Sequence, residues 1–294
     1  MKNIETTENV KNYYGKVLET SEDLQTNACC TDEEIPDYVK NILKDVHDEV
    51  MSKFYGCGSP LPVALEGLTV VDLGCGSGRD SYVLSKLVGE KGKVIGVDMT
   101  EEQLEVARRH VDYHTQKFGY STPNIEFLEG DILDLKSLGL EDGSVDLVVS
   151  NCVLNLCHDK RKAFSEIFRI LKPGGELYFS DVFSNRRIPV ELKKDSNLYG
   201  ECLSGALYTE DFRRILLELG IRDYRIVTSR EITVNSLEAQ EKLGDISFLS
   251  NTVRAINVDI EDRCEDFGQV ALYKGGIDQA RHGFLLDDHH YFEV

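Results

Sequence analysis

The sequence predicts a doubly wound α/β fold, a mostly parallel sheet with helices on both faces, and three observations predict it. From Leu68 onward, apolar strand-like runs and helical patterns alternate, as βαβ units require. The runs "LTVVDLG", "KVIGVDM" and "VDLVVSN" lack the in-and-out alternation of a half-exposed strand, so they belong in a sheet covered on both faces. Helix signals fall between the runs: Thr100 with Gln103 makes a capping box, and Pro173-Gly174-Gly175 closes a helical stretch.

Residues 1–60 read as a mostly helical, polar extension. In "DYVKNILKDVHDEVMSKFYG", Val39, Ile42, Leu43, Val46, Val50 and Phe54 recur at helical spacing and predict one core-facing stripe. The α/β unit then runs "LTVVDLG", "RDSYVLSKLVG", "KVIGVDM", "EEQLEVARRHVDYHTQKFG", "NIEFLEGDI", "VDLVVSN", "DKRKAFSEIFRILKPGG" and "ELYFSDV". A helix over 209–220 and a strand over 224–232 are expected to end it. Residues 235–294, acidic and finishing in "LLDDHHYFEV", are expected to form a small C-terminal domain. The predicted organisation is thus a helical segment (1–60) that contributes to the site, a nucleotide-binding α/β domain (61–234) and the small domain (235–294).

A chain of 294 residues can bury a large core, and 41% hydrophobic with 29% charged residues argues against wholesale disorder. The net charge of −19, from 33 basic and 52 acidic residues, repels phosphate backbones and anionic head groups. Neither nucleic acid nor a membrane is therefore expected as a partner. No apolar run reaches spanning length and "MKNIETTENV" has no secretory h-region, so the expected location is cytoplasmic. There the eight cysteines (29, 30, 57, 75, 152, 157, 202 and 264) are expected as thiols, and no C-x-x-C pair suggests structural zinc.

"VVDLGCGSGRD" follows the first strand of the unit and opens a helix, where a doubly wound sheet binds its nucleotide. Gly74, Gly76 and Gly78 permit a tight turn and close approach of the backbone to a ligand. A dinucleotide fingerprint needs a third glycine at 79, where Arg79 stands. The pattern from Asp72 onward is D-x-G-x-G-x-G, which suits the sulfonium amino acid of S-adenosylmethionine better than a pyrophosphate. Asp98 ends the second strand and is placed to accept both ribose hydroxyls. Asp131 is placed for the adenine amino group, with Met99 and Ile132 as apolar walls. With these acids on successive strand ends, "DLGCGSGRD … GVDMT … EGDI … VVSN … LKPGGELYFSDV" resembles the class I S-adenosylmethionine-dependent methyltransferases over roughly residues 65–185.

Methyltransferases of exocyclic base amines follow the fourth strand with Asn-Pro-Pro-aromatic; here Asn151-Cys152-Val153-Leu154 stands instead. Asn151 is counted with the cofactor residues. The thiol at 152 can be a nucleophile, a soft ligand or a buried small side chain. Adjacent thiols in "TNACC", Cys57 in "FYGCGSP" and Cys202 in "LYGECLSGALY" are flanked by polar or turn-forming residues, a poor setting for thiols that only pack. Cys157 suits a core position, while Cys75 and Cys264 read as incidental. His289 and His290 could bind a metal, although adjacent histidines in a charged tail are more often solvated.

These cysteine contexts, with "VVSNCVLNL" and "GGELYFSDV", are similar to the arsenite S-adenosylmethionine methyltransferases over residues 26–220. The resemblance implies arsenic-binding thiols at Cys57, Cys152 and Cys202 and a redox thiol at Cys29, with Cys30 as a possible substitute. It implies arsenite and methylated trivalent arsenicals as substrates, and a thioredoxin- or glutathione-type external thiol as reductant. Two rival readings stay open: a C- or O-methyltransferase of an organic metabolite, and a thiol module that only sequesters arsenite.

Overall fold

The computed structural model describes residues 35–54, 56, 58–195, 198, 202–234, 236–260, 268, 270, 272–285 and 290–294. Cys29, Cys30, Cys57, Cys264 and His289 lie outside them. The sheet runs in the order β3 (Ile125–Glu129), β2 (Lys93–Asp98), β1 (Thr69–Leu73), β4 (Val145–Asn151), β5 (Leu171–Ser184), β8 (Phe248–Ile256) and β7 (Tyr224–Ile232). The first five strands are parallel, and β8 is antiparallel to both its neighbours. A two-residue β6 (Leu207–Tyr208) pairs with β5. Reversal of the strand order at β1 and β4 leaves a crevice outside the carboxyl ends of β1, β2 and β4, where Leu73, Asp98 and Asn151 end their strands.

The helices α1 (Asp37–Leu43), α2 (Asp48–Ser52), α3 (Arg79–Val88), α4 (Glu101–Arg109) and α5 (Val111–Phe118) belong to one layer, whose core includes Val39, Val50, Tyr82, Leu84 and Leu104. The opposite layer, α6 (Lys160–Ile170) and α7 (Thr209–Glu218), buries Phe164 and Phe212 against Phe179 and Phe183 of β5. A third cluster forms around the carboxyl end of β5 and the start of β8: Cys152, Val182, Leu198, Cys202, Leu203 and Phe248.

Three expectations change. The stripe expected at helical spacing is carried by two short helices: α1 ends at Leu43, and His47 then takes an extended backbone and its ring accepts the Glu49 N–H, capping α2. Val39, Val46 and Val50 still face the core. Thr100 stands at the N-cap of α4 as expected, yet its side chain makes no capping bond and serves Asp98 instead. The boundary expected near 234 does not divide the sheet. Residues 248–256 form β8, which pairs with β5 along nine residues and is the strand through which β7 joins the sheet. Alternation alone carries no information about which edge a strand joins. Of the expected C-terminal domain, the described tail holds α8 (Leu237–Leu243), which precedes β8, and a two-stranded pair of β9 (Gly283–Leu285) and β10 (Tyr291–Glu293). No helix among the described residues is long and apolar enough to cross a membrane.

The short α1–α2 strap is fastened to the sheet's helical cover. Glu49 of α2 binds Arg109 and His110, the His47 ring stacks on His110 at 3.7 Å, and the His47 N–H donates to His114. One donor atom from each of His47, Glu49 and His110 lies within 4.8 Å of the others. His47 Nδ1 is committed to the cap of α2, and the Glu49 carboxylate to Arg109 and His110.

Candidate active site

The glycine turn is built around Asp98. One carboxylate oxygen accepts the Gly76 N–H at 2.9 Å and the other the Thr100 N–H at 2.8 Å. The Thr100 side chain and the Met99 N–H bond the same carboxylate, which fixes it at the edge of the cleft where ribose hydroxyls would meet it. Gly74 and Cys75 donate to the Val97 carbonyl, which folds the turn back over β2. Gly76 has a φ of +52° and a Cβ there would touch nothing within 4 Å, so its backbone faces open space. Gly78 serves from behind: at φ +89° it precedes α3, and a Cβ would lie 2.9 Å from Phe127. It is absent from the lining of the cleft, and its absent side chain permits close helix packing.

The cleft encloses about 1110 Å³ including its mouth. Asp72, Gly74, Gly76, Asp98, Met99, Asp131, Ile132, Asn151 and Cys152 line it, together with residues that sequence reasoning missed: Lys53, Phe54, Ser77, Asp80 and Gln103. Ser77 donates to the carbonyls of Val50 and Lys53, tying the strap to the turn. Phe54, expected in the core-facing stripe, instead lies under the Arg79 guanidinium at 3.7 Å. Asp131 spends one oxygen capping the following turn at the Leu133 N–H. Lys53, Phe54 and Gln103 reach the cleft through tertiary packing and carry no local signal for it, whereas Ser77 and Asp80 lie inside the glycine motif itself.

Four carboxylates, Asp72, Asp80, Asp98 and Asp131, share the cleft, so it is suited to a cation. Asp80 Oδ1 is buried and has no hydrogen-bond partner among the described residues, with Arg79 Nε only at 3.6 Å. A cationic ligand group relieves that cost. Burial, and next the Asp80 charge, push Asp72 up to about 7. Burial likewise raises Asp98. The open backbone at Gly76, the doubly anchored Asp98 and the underused Asp80 oxygen fit the ribose and the cationic methionine end of S-adenosylmethionine.

Two predictions arise here. Asp98→Ala should weaken cofactor binding by about 1.5–3 kcal/mol, the value of charge-assisted hydrogen bonds. Calorimetry checks it, and an unchanged Kd would remove Asp98 from the site. Second, a bound cation lowers the pKa of Asp72, so binding near pH 7 should release protons and affinity should rise as pH climbs through about 7. Titrations in two buffers of different ionisation enthalpy measure that release; proton uptake would refute the assignment.

The thiols lie at the same end of the sheet. Cys152 follows β4 at φ +61°, and Cys202 also has φ +61°. For a residue with a side chain this left-handed backbone costs about 1–3 kcal/mol and is found where the surroundings impose it. The structure brings the two together across 50 residues: Cys202 Sγ lies 3.7 Å from the Cys152 carbonyl oxygen. The polar flanks of Cys202 suggested a thiol outside the core, yet it is fully buried, and Cys152 is 3% exposed in the cleft wall. The Leu203 and Ser204 N–H groups donate to the Leu198 carbonyl, and Cys202 and Leu203 pack inward with Val182 and Phe248.

Cys152 is disulfide-bonded, whereas Cys75, Cys157 and Cys202 are thiols. The sequence predicts a thiol at 152; the structure holds it oxidised. Cys75 and Cys157 also line the cleft, but burial pushes Cys157 up to about 12 and Cys75 well above its ordinary value. Neither forms a thiolate readily near neutral pH. Cys57 is outside the described residues, although its neighbours are closely seated: a Cβ on Gly56 would run into the Asn151 amide, and one on Gly58 would lie 2.5 Å from Ser180 Oγ. Asn151, expected to bind cofactor, lines the cleft but spends its amide on Gly58 and Asp80.

The methyltransferase domain family matches residues 64–220. The chain is 52% identical over 288 residues to an arsenite methyltransferase of Aquipseudomonas alcaligenes, covering 98% of this chain and 83% of that one. It is 42% identical over 291 residues to the arsenite methyltransferase of Homo sapiens, covering 98% and 76%. Among solved structures, an arsenic(III) S-adenosylmethionine methyltransferase from Chlamydomonas reinhardtii superposes with a TM-score of 0.85 at 50% identity, covering 88% of this chain and 87% of that one.

Proposed function

The chain belongs to the arsenite methyltransferase family, and on that premise we propose that it methylates trivalent arsenic held by the thiolates of Cys57, Cys152 and Cys202. The observation that carries the ligand assignment is the convergence of the Cys152 and Cys202 segments beside the cofactor cleft, with Gly58 clipped to the adjoining Asn151. When bound, S-adenosylmethionine supplies an electrophilic methyl group. The carboxylates of Asp72, Asp80 and Asp98 would hold its cationic and ribose parts.

Trivalent arsenic is soft, and thiolates select it over oxygen donors. Three thiolates leave its lone pair at the apex of a trigonal pyramid, and that lone pair is the nucleophile. No general base is needed, because the nucleophile carries no proton. Orientation of the pair within the cleft can recover roughly 7–11 kcal/mol of the barrier. Methylation raises arsenic from the trivalent to the pentavalent state. Attack of a second protein thiolate on one arsenic-bound sulfur then forms a disulfide, breaks that As–S bond and leaves its electron pair on arsenic, which returns to the trivalent state; an external thiol of the thioredoxin or glutathione type reduces the disulfide. Cys29 is the proposed partner thiol, and the cytosol, with its reducing pool, is the proposed setting.

The test is to incubate the protein with arsenite, S-adenosylmethionine and a thiol, and to separate and quantify the methylated species. Absence of any methylated arsenic would end the reading. A third prediction belongs with it. Since Cys152 is disulfide-bonded in the structure, arsenite should bind only after reduction. Equal binding by unreduced and reduced protein, measured by equilibrium dialysis, would remove Cys152 from the ligand set.

A further inference from the structure

The stretch Asn151-Cys152-Val153-Leu154-Asn155 places a cysteine between two asparagines, and each asparagine holds a different segment. Asn151 pairs with both sides of one residue's backbone: its Oδ1 accepts the Gly58 N–H at 3.2 Å and its Nδ2 donates to the Gly58 carbonyl at 2.9 Å. The same Nδ2 donates to Asp80 at 2.8 Å. Asn155 is fully buried. Its Oδ1 accepts the Leu207 N–H at 3.1 Å, its Nδ2 donates to the Val182 carbonyl at 2.6 Å, and its backbone N–H donates to Asp181 at 3.0 Å. Between them, the Cys152 N–H is fixed on the Ser180 carbonyl at 2.8 Å.

We infer that Asn151 and Asn155 are positioning residues that set the spacing of the arsenic-binding thiols. Asn151 registers the segment that flanks Cys57, and Asn155 registers the segment that follows Cys202, each on the strand end that carries Cys152. An amide suits the task because it offers a donor and an acceptor together, which a carboxylate or a hydroxyl cannot match in the same geometry. Burial makes the ties stiff, since breaking one leaves a buried backbone group unpaired. The close seating of Gly56 and Gly58 has the same origin: any side chain there would push the loop off Asn151 or Ser180. Rigid spacing matters for a chelate, because thiolates placed in advance lose little freedom when the metalloid arrives.

This inference rests on the ligand set proposed above, and its test separates the two. Reduced wild type, Asn151→Ala and Asn155→Ala are titrated with S-adenosylhomocysteine, arsenite and trivalent methylarsenic, without turnover. Arsenite has three exchangeable positions and trivalent methylarsenic two, so only arsenite needs the Cys57 segment. Asn155→Ala should weaken both arsenicals at least tenfold and leave the Kd of S-adenosylhomocysteine within about twofold. Asn151→Ala should weaken arsenite at least tenfold and trivalent methylarsenic less than threefold, a split that general loss of stability does not produce. Wild type that binds no arsenite overturns the ligand set itself. Wild-type affinity for both arsenicals in both variants overturns the positioning role alone. If Asn155→Ala loses S-adenosylhomocysteine as well, Asn155 supports the fold rather than the thiol spacing; if Asn151→Ala weakens both arsenicals equally, its tie to Gly58 is likewise not specific to the third thiol.

Discussion

Cys152→Ser is expected to abolish methylation of both arsenite and trivalent methylarsenic, a loss of at least about 10³-fold, or about 4 kcal/mol of transition-state stabilisation. Serine keeps the size of the side chain but replaces a soft ligand by a hard one, which trivalent arsenic does not retain against water. Cys152 stands in the cofactor cleft wall, so its removal loses a ligand that faces the methyl donor's site. Cys202→Ser should do the same, because two thiolates are the minimum that holds a monomethylated substrate. Cys29→Ser and Cys57→Ser should block the first methylation and leave the second measurable. The assay compares four variants on two substrates under one reductant, and parental turnover of trivalent methylarsenic by Cys152→Ser would exclude its proposed role.

Gly74→Ala should be the most damaging single change in the glycine turn. At φ +73° a side chain costs about 1–2 kcal/mol. The new Cβ would also run into a Val153 methyl, and overpacking of that kind costs about 1–3 kcal/mol. Val153 adjoins Cys152, so relief of the clash displaces the cysteine as well as the turn. Cofactor affinity should fall by on the order of 30-fold or more, about 2 kcal/mol, and methylation with it. Titration calorimetry and the arsenic assay read the two losses; an unchanged cofactor Kd would show that the turn adapts without cost.

The cofactor half of the site was legible because each acid lies at the end of a strand whose apolar pattern is local. Asp72, Asp98 and Asp131 could be placed by counting along runs of five or six residues, the last of them two residues past its strand. The partners of Asp80, Ser77 and Asn155 could not, since they are set by packing between segments distant in sequence. The flanks of Cys202 misled for a related reason: glycine and serine neighbours mark a turn, but they do not say whether the turn faces water or folds inward. The N-terminal stripe was correct in burying Val39, Val46 and Val50 and wrong in its continuity, because the first helix ends at Leu43 and a histidine-capped second helix begins after it.

The late strand β8 has a consequence for how the protein is made. The chain leaves the ribosome from its N-terminus, so every parallel strand through β5, and the whole cofactor turn, emerges before residues 248–256. Until then the outer edge of β5 along residues 176–184 has no β8 beside it, and β7 lacks the neighbour through which it enters the sheet. A bare apolar edge of that length invites pairing with another chain. Nascent chains are therefore most exposed to aggregation between the synthesis of β5 and that of β8, and a chain cut after Ile232 would retain the cofactor residues yet remain in that vulnerable condition permanently.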